Sequence, residues 1–289
     1  MQKNSSFSHK LINNEEKSKT IELEKIASIA RSRIILNSHK TGTPHLGSCL
    51  SCVDILVALY FSKLNIDPKA PRSAIRDRFI LSKGHGAPAL FQILAMRGFY
   101  PDKLLSDYGE DGSIFAEHPP APDYLPGLEA ATGSLGHGLP IGLGMALSSM
   151  ISGNSFNVYV LLGDGECNAG PVWEAATMAV AQKVENLTIF VDANKWQATD
   201  RSADLVGPTS LKDKWESFGW NSSEIDGNDM QEILAVLSKK PIKRTPTALI
   251  LNTIKGKGVS FMEDDNNWHY RIPNKEEVEL AFNELGVEL

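Results

Sequence analysis

The stretch LLGDGECNAG, residues 161–170, decides the fold because it places an acid where a buried strand gives way to a helix. The aliphatic run NVYVLL, residues 157–162, has the length and composition of a strand covered on both faces of a parallel sheet. Gly163 and Gly165 on either side of Asp164 allow a sharp turn and the close approach of a bulky anion. The free N–H groups of such a turn, at the start of the next helix, favour a phosphate group.

The chain beyond residue 157 alternates regularly between short apolar runs and helical patterns. This alternation predicts right-handed βαβ units, and therefore an α/β fold with three layers, in which helices cover both faces of a doubly wound, mostly parallel sheet. The predicted strands span residues 157–162, 187–192, 220–225 and 247–253, and the predicted helices span residues 171–182, 209–218, 229–239 and 274–285.

The first half of the chain is less regular. Residues 1–18 are rich in Asn, Ser, Lys and Glu and are predicted to be disordered or frayed, whereas residues 19–289 are predicted to form a single domain. Residues 108–131 are rich in Pro, Gly and acids, which indicates a long ordered loop of the kind that often carries function. The other predicted elements are helices at 20–37, 49–62, 84–98 and 101–107, a strand at 77–82 and a helix of small residues after residue 133.

The composition excludes several classes of function. Of the 289 residues, 42% are hydrophobic and 22% are charged, as in an ordinary soluble α/β protein. The net charge of −6 comes from interspersed acids and bases without a long basic run, so nucleic acid is not an expected partner. No stretch approaches the roughly 20 apolar residues of a membrane helix, and the polar N-terminus lacks the apolar core of a signal peptide. We therefore expect no membrane association and a cytoplasmic location.

Cys49 and Cys52 form a C-x-x-C sequence, and His45 lies four residues before Cys49, which leaves a redox or zinc site open. The flanking sequence SCLSCVDILVALYF is typical of a helix, however, and small cysteines suit its packed face. A zinc site would also need a second pair of ligands. With Cys167 the chain has three cysteines, too few for a disulfide framework, which agrees with a reducing compartment.

A second polar cluster follows the next predicted strand, in LTIFVDANKWQ. Asn194 lies thirty residues after Asp164, with one helix and one strand between them, so both residues should reach the same edge of the sheet. A carboxylate, an amide oxygen, a backbone carbonyl and two phosphate oxygens form the hard, octahedral ligand set that Mg²⁺ needs. The sequence therefore predicts a site for Mg²⁺ and a diphosphate, although the spacing alone leaves an ordinary turn acid and turn amide equally open.

The GDG sequence, followed after thirty residues by Asn, resembles the thiamine diphosphate motif, and its surroundings resemble the N-terminal, diphosphate-binding half of transketolase. The matching stretches follow one another in the same order as in the family, and together they extend over residues 20–272. The resemblance implies thiamine diphosphate and Mg²⁺ as cofactors, and the transfer of a two-carbon ketol unit from a ketose, or ketose phosphate, donor to an aldose acceptor. The matching stretches are KTGTPHLGSCLSCVDIL, LSKGHGAPAL, HPPAPDYLPGLEAATGSLGHGLPIGLGMAL, GDGECNAGPVWEA and IKGKGVSFMEDDNNWH.

The resemblance also implies roles for individual residues. Mg²⁺ would be bound by the side chains of Asp164 and Asn194 and by the carbonyl of Trp196. Three histidines match those that surround the reacting end of the cofactor and the sugar, and His269 resembles one placed near the diphosphate. The candidate catalytic residues are therefore His45, His85, His118 and His269, and the candidate cofactor contacts are Gly133, Ser134, Leu135, Gly163, Asp164, Gly165, Glu166, Asn194, Trp196, Lys255 and His269.

The resemblance implies a partner as well. The glutamate that activates thiamine in transketolases belongs to the domain that follows this one, and no such domain precedes Leu289. A separate C-terminal subunit is therefore expected to carry the pyrimidine domain and to supply that glutamate, in an α2β2 assembly. Sugars or sugar phosphates are the expected substrates, and Glu174 matches an acid at the dimer interface of the family.

Some positions depart from the family pattern. Asn168 and Ala169 stand where an acid is usual, so an interface carboxylate is lost. Tyr270 replaces a more usual glycine after His269, and His137 stands where full-length members often have Gln. These departures leave the substrate and the communication between paired sites open.

Several alternatives stay open. The histidines lie in Gly/Pro-rich loops, where ordinary surface histidines also occur. Lys255 and Lys257 in IKGKG fit a solvated pair as well as a phosphate contact. A dinucleotide fold is not favoured because GDGECNAG is not G-x-G-x-x-G, and a zinc hydrolase is not favoured because the histidines lack helical pairing. A related enzyme that forms carbon–carbon bonds in a specialised sugar pathway, and a non-catalytic binding homologue, remain as rival functions.

Overall fold

The computed structural model describes residues 14–288, and its strands join one parallel sheet. The strands are β1 (Arg78–Leu81), β2 (Val158–Gly163), β3 (Leu187–Ala193), β4 (Asn221–Asp226) and β5 (Thr247–Asn252). Their order across the sheet is β1-β2-β3-β5-β4, so the chain first forms the edge strand β4 and then returns to insert β5 beside β3. The inner strand β2, between β1 and β3, is buried at every position, as its unbroken apolar run predicts.

Helices connect the strands, as parallel crossovers require. None of the helices in the described part of the chain is long and apolar enough to cross a membrane. The α-helices within residues 14–288 are α1 (Asn14–Thr41), α2 (Leu46–Ser51), α3 (Val53–Ala58), α4 (Ala87–Arg97), α5 (Gly138–Ser152), α6 (Gly170–Ala181), α7 (Ser202–Val206), α8 (Leu211–Ser217), α9 (Met230–Leu237) and α10 (Lys275–Leu285).

Side chains alternate between the two faces of the sheet, and each face packs against its own layer of helices. In β2, Tyr159 and Leu161 belong to a core cluster that includes residues of α1 to α4, α9 and α10. Val158, Val160 and Leu162 belong to a second cluster that includes residues of α5, α6 and α8. The predicted three-layer α/β architecture, with helices on both faces of a parallel sheet, is confirmed.

Several helices differ from the predicted ones in their bounds or in being absent from the prediction. α1 begins at Asn14, and the negative charges of the acids in its first turn interact favourably with the helix dipole. The expectation of a frayed segment is therefore wrong for residues 14–18, and residues 1–13 lie outside the described part of the chain. The predicted helix 49–62 starts at Leu46 and is interrupted by non-helical backbone at Cys52, and the single-turn α7 is not predicted at all. That residues 19–289 form a single domain stays a prediction.

The loops that follow four of the strands meet at one edge of the sheet. Lys83 and His85 follow β1, and Asp164 follows β2. Asn194 directly follows β3, and Lys255 follows β5. In open α/β sheets this carboxyl edge is where ligands bind, so the fold delivers residues from distant parts of the sequence to one place.

Candidate active site

Asp164 and Asn194 lie next to each other at the carboxyl edge of the sheet. Strands β2 and β3 are hydrogen-bonded neighbours, and their register pairs Gly163 with Asp192. The backbone N–H of Lys195 donates to Asp164 Oδ2 at 3.0 Å, so the residue after Asn194 is in direct contact with the carboxylate. The structure thus brings together the two residues that the sequence predicts as side-chain ligands of a metal.

Asp164 is a buried carboxylate surrounded by neutral hydrogen-bond donors. It is 8% exposed, and Oδ1 accepts from the N–H of Gly165 at 2.8 Å while Oδ2 accepts from the hydroxyl of Ser202 at 2.8 Å. Burial raises the pKa of Asp164 to about 6, and these hydrogen bonds offset the rise only in part. A cation placed beside this carboxylate would therefore stabilise its charged form.

The oxygen atoms at this edge fit Mg²⁺. Asn194 is buried, and the N–H of Trp196 donates to its Oδ1 at 3.1 Å, which fixes the orientation of the amide. Carboxylate, amide and carbonyl oxygens are the protein ligands that Mg²⁺ accepts, with phosphate oxygens completing its shell. Within residues 14–288 no group of three or more His, Cys, Asp or Glu side chains is arranged to hold a metal, so the zinc alternative has no ligand set there.

A fully buried ion pair lies beside the candidate metal ligands. Lys83 Nζ donates to Asp192 Oδ2 and, at 2.9 Å, to the carbonyl of Ser48. Asp192 also accepts from Asn194 Nδ2 at 3.3 Å and from the hydroxyl of Thr253. Burial by itself would lower the pKa of Lys83, but the negative charge of Asp192 raises it above its usual range, so the ammonium stays charged. One carboxylate therefore connects the ends of β1, β3 and β5 to a candidate metal ligand.

Four histidines from four loops form one cluster. The ring centroid of His45 lies 4.9 Å from that of His269 and 5.6 Å from that of His85. The centroid of the His118 ring lies 6.2 Å from that of His45. The backbone of His45 has a φ of 69°, which is unusual for a residue with a side chain, and its N–H donates to the carbonyl of His269 at 2.7 Å. The structure therefore assembles all four candidate catalytic histidines.

Three of these imidazoles are held in the neutral form. Burial, aided by neighbouring positive charge, lowers the pKa of His45 and places that of His85 well below its usual value. Burial and the charge of Lys255 lower the pKa of His269 to about 3. A neutral imidazole can accept a proton from a hydroxyl group or donate its single N–H to an oxygen. The cluster is therefore suited to proton transfer and to binding a ligand with several hydroxyl groups.

Lys255 follows β5 at the same sheet edge, and its side chain contacts the histidine cluster. It is 1% exposed, and its Nζ donates to Asn266 Oδ1 at 2.6 Å and to His269 Nδ1 at 3.2 Å. Burial, together with the charge of Lys83, lowers its pKa to about 8. The alternative of a solvated lysine is therefore wrong for Lys255, whereas Lys257 forms a half-exposed ion pair.

The loop with Gly133, Ser134 and Leu135 lies directly against the histidine loops. A Cβ atom on Gly84 would stand 2.7 Å from the backbone N of Gly133, so glycine is required for this close approach. Gly133 has a φ of 142°, and a Cβ atom there would meet the ring of His118 at 3.0 Å. Ser134 and Leu135 are exposed, so their surfaces are open to a ligand at the edge of the cluster.

Glu166 is buried and uses both carboxylate oxygens within the chain. Oε1 accepts from the N–H of Gly136 at 2.8 Å and from the hydroxyl of Ser82, and Oε2 accepts from the N–H of Gly163 at 3.1 Å. These bonds tie the loop after β1 and the loop before α5 to the GDG turn. Glu166 therefore positions neighbouring loops, and its direct contact with a cofactor stays a prediction.

Other residues singled out in the sequence belong neither to the histidine cluster nor to the candidate metal ligands. His137 is exposed, with its Nδ1 3.2 Å from the carbonyl of Leu135. Cys49 and Cys52 are free, buried thiols, and burial raises the pKa of both, so a reactive thiolate is not favoured. Glu174 is exposed on α6.

Sequence reasoning did not identify two ion pairs around the site. The buried pair had a signal, because Asp192 is an acid inside the mostly apolar strand LTIFVDA, and a buried charge needs a partner. Its partner, Lys83, lies in the stretch LSKGHGAPAL, and nothing in that stretch predicts the pairing with Asp192. The second pair, between Arg201 and Asp264, joins two partly exposed residues 63 positions apart, and nothing in the local sequence of either predicts the other.

Comparison with known proteins identifies the family. Residues 24–289 match the family model described as transketolase, thiamine diphosphate binding domain. The chain is 42% identical over 265 residues to an apulose-4-phosphate transketolase subunit of Actinobacillus succinogenes, and the match covers 91% of this chain and 96% of that protein. It is 38% identical over 244 residues to the 6-deoxy-6-sulfo-D-fructose transketolase subunit SqwG of Clostridium sp., and this match covers 84% of this chain and 88% of that protein.

The fold agrees with solved structures of transketolases whose chains are longer than this one. Transketolase from Leishmania mexicana superposes with a TM-score of 0.85 at 23% identity, covering 92% of this chain and 41% of that chain. The chain thus spans nearly the full length of relatives that are named as subunits, and less than half of the Leishmania mexicana chain. The chain therefore belongs to the transketolase family, as an N-terminal subunit in which residues 24–289 form the thiamine diphosphate-binding domain.

Proposed function

We propose that this chain binds thiamine diphosphate and Mg²⁺ and, together with a separate subunit, transfers a two-carbon ketol unit from a ketose, or ketose phosphate, donor to an aldose acceptor. One observation carries the proposal. A single sheet edge holds the oxygen ligands Asp164 and Asn194, and Lys255, which follows β5 at the same edge, contacts one member of a cluster of four histidines. The rival function, that of a non-catalytic homologue, does not explain why these groups remain together.

The metal and the diphosphate have matching groups on this chain. Asp164, Asn194 and the carbonyl of Trp196 would bind Mg²⁺, which supplies positive charge for the phosphate oxygens. The N–H groups of Gly163 and Gly165 already donate to Glu166 and Asp164, so these two glycines would serve the diphosphate by letting it approach the turn closely.

The remaining cofactor contacts would come from the neighbouring loops. The ammonium group of Lys255 would approach the diphosphate, and the backbone of Gly133, Ser134 and Leu135 would meet the aminopyrimidine ring. When bound, thiamine diphosphate supplies the nucleophilic carbon that carries the ketol unit between the donor and the acceptor.

The histidines would bind sugar hydroxyls and move protons. Cleavage of the donor needs a base to accept a proton from a hydroxyl group next to the breaking bond, and a neutral imidazole within hydrogen-bond reach suits this role. The reverse transfer, to the carbonyl oxygen of the acceptor, needs the same group as an acid. His45, His85 and His118 would share these tasks. Lys255 donates to Nδ1 of His269, so the proton of that neutral ring lies on Nε2 and is available to an oxygen of the ligand.

A C-terminal subunit with the pyrimidine domain is part of this proposal, and it would supply the activating glutamate in an α2β2 assembly. The relatives that are named as transketolase subunits support a second polypeptide. An exposed apolar surface on α5 and α6 is also consistent with a protein interface, because Ile141, Ile151 and Met178 are open to solvent there. Glu174 is exposed on the same pair of helices, as an interface acid would be.

The substrate that we propose is a sugar with an anionic group. One relative is named for apulose-4-phosphate and the other for a 6-deoxy-6-sulfo sugar, and each covers most of this chain. A specialised sugar pathway is therefore the second candidate beside central pentose phosphate metabolism. The three cysteines are free and buried, which supports the proposed cytoplasmic location.

Calorimetric titration tests the cofactor site. Thiamine diphosphate with Mg²⁺ is titrated into the chain, alone and mixed with the pyrimidine-domain subunit, for the wild type, for Asp164→Ala and for the control Asp123→Ala, which removes an exposed carboxylate paired with Arg72. We expect Asp164→Ala to lose more than about a hundredfold in affinity, since even indirect supports of a metal often cost that much. Circular dichroism checks that the fold is kept. Retained affinity in Asp164→Ala, or no binding by the wild type in either mixture, would overturn the proposal.

A further inference from the structure

Two loops with candidate cofactor ligands are joined by contacts that the proposed function does not use. We name residues 194–202 the metal-ligand loop, because it contains Asn194 and Trp196. We name residues 255–269 the lysine loop, because it begins at Lys255. The two loops follow β3 and β5, which are neighbours in the sheet.

The main contact is an ion pair with a fixed geometry. Arg201 Nη1 donates to Asp264 Oδ1 at 2.7 Å, and Nη2 donates to Oδ2 at 2.6 Å, so the guanidinium group and the carboxylate form two parallel bonds. The guanidinium group also lies 3.8 Å from the ring centroid of Trp196, and the indole Nε1 donates to Asp264 Oδ1 at 2.8 Å. Three side chains from two loops therefore fix one another.

The backbone of the lysine loop aims Asp264 at this contact. Asp264 has a φ of 58°, a left-handed conformation that costs free energy for a residue with a side chain. Its N–H donates to the carbonyl of Lys255 at 2.8 Å. A second bridge supports the first, because Asn266 Nδ2 donates to the carbonyl of Ala198 at 3.2 Å while its Oδ1 accepts from Lys255 Nζ.

The contact reaches the candidate metal ligands through short connections. Trp196 and Arg201 face each other as an antiparallel bridge that closes the metal-ligand loop. Ser202, next to Arg201, donates its hydroxyl to Asp164 Oδ2 at 2.8 Å and its N–H to the carbonyl of Lys195 at 3.0 Å. A movement of Arg201 would therefore displace both a donor to Asp164 and the backbone at Trp196.

We propose that Arg201 and Asp264 are positioning residues, which hold the metal-ligand loop against the lysine loop before any cofactor binds. They act through Trp196 and Ser202. The inference rests on the proposed function only for the identity of the ligands, since the contact between the loops is a property of the chain itself. It explains why a half-exposed ion pair is built with two parallel bonds, a stacked indole and a left-handed aspartate.

Amide hydrogen exchange on the cofactor-free chain tests the contact. The test variant is Arg201→Ala, and the matched control is Arg33→Ala, which removes an ion pair of similar exposure with Asp102. In Arg201→Ala we expect exchange at the amides of Lys195 and Ser202 to become roughly fivefold to tenfold faster, which corresponds to one surface ion pair and one cation–π contact. The control should leave these amides unchanged. Equal protection in Arg201→Ala and the wild type would overturn the proposal.

A titration with Mg²⁺ at saturating thiamine diphosphate tests positioning separately. We expect several-fold weaker Mg²⁺ binding in Arg201→Ala, an intermediate value in Arg201→Lys, which keeps the charge without the planar fork, and no change in Arg33→Ala. Faster exchange in Arg201→Ala with unchanged Mg²⁺ affinity would overturn the positioning role. A wild-type chain that binds no cofactor, either alone or mixed with the pyrimidine-domain subunit, would refute the proposed function, while the exchange result would still decide whether this ion pair holds the loops.

Discussion

Two ion pairs flank the same candidate site, and they differ in almost every physical respect. The side chains of Lys83 and Asp192 are buried at the carboxyl edge of the sheet, with exposed fractions of 1% and 0%. Those of Arg201 and Asp264 join the two loops beyond this edge and are 34% and 54% exposed. Both pairs contact the segment that begins at the end of β3. The comparison separates two tasks at one site, namely building the edge of the sheet and fixing the loops above it.

The environment decides which task each pair performs. A buried charge carries a large desolvation penalty and depends on its partner and on full hydrogen bonding, which Asp192 obtains from Ser51 at 2.6 Å and from Thr253. An exposed pair gains little free energy of folding because water and ions compete with it. The buried pair should therefore control stability, and the exposed pair should control only local order.

The largest expected effect separates the two pairs by stability. Lys83→Met leaves Asp192 as an uncompensated buried charge, so we expect a loss of about 3–5 kcal/mol in the free energy of unfolding. Arg201→Ala should cost about 1 kcal/mol or less. Denaturant-induced unfolding measures both values.

A double variant tells charge from packing. Lys83→Met combined with Asp192→Asn removes both charges and keeps the shape of the acceptor, so we expect it to recover about half of the loss of the single variant. No recovery would show that the Lys83 side chain stabilises the edge by packing. A cost of Arg201→Ala equal to that of Lys83→Met would remove the distinction between the two pairs.

Much of the fold follows from the sequence because it depends on short-range pattern. The apolar run before Asp164 predicts a buried strand, and regular alternation predicts the parallel sheet and its helices. The position of Asn194 one helix and one strand later predicts its arrival at the same edge. The candidate metal ligands are thus predictable, since the βαβ unit fixes their relation.

The pairings that complete the site depend on long-range packing and are not predictable in this way. Lys83 and Asp192 are 109 residues apart in the chain, and the strand order that joins them is a property of the whole sheet. The left-handed backbone of His45 and Asp264 has no signal in the local sequence, because neither residue is glycine. The burial of Lys255, which the sequence leaves open, is decided by the lysine loop that folds over it.

Lys255 belongs to neither ion pair, and its titration gives the next largest expected effect. Its pKa is lowered from the usual 10.5 to about 8, so in the folded chain it is charged only below about pH 8. The folded state binds this proton less tightly than the unfolded state. The group therefore destabilises the fold below pH 8, and this penalty disappears as the pH rises to 10.5.

A bound diphosphate reverses this preference, because its negative charge favours the protonated lysine. We therefore expect the affinity for thiamine diphosphate to fall up to about tenfold per pH unit above pH 8, with uptake of a proton on binding. Calorimetry in buffers with different ionisation enthalpies measures both quantities. Lys255→Arg stays charged over this range and should remove the dependence. Matching pH profiles for the wild type and Lys255→Arg would contradict a contact between Lys255 and the diphosphate.

The smallest expected effect tests the exposed pair by screening. Raising NaCl from 0.1 M to 1 M shortens the screening length from about 10 Å to about 3 Å, which weakens exposed ion pairs and leaves buried pairs nearly unaffected. We expect about twofold to threefold faster amide exchange at Lys195 and Ser202 in the wild type, and no salt response at the buried strand residue Phe190. Arg201→Ala, which lacks the pair, is the control and should respond less. An equal response in the wild type and in Arg201→Ala would mean that the ion pair does not hold the loops. The hydrogen bond from the uncharged Trp196 indole to Asp264 would then hold them instead.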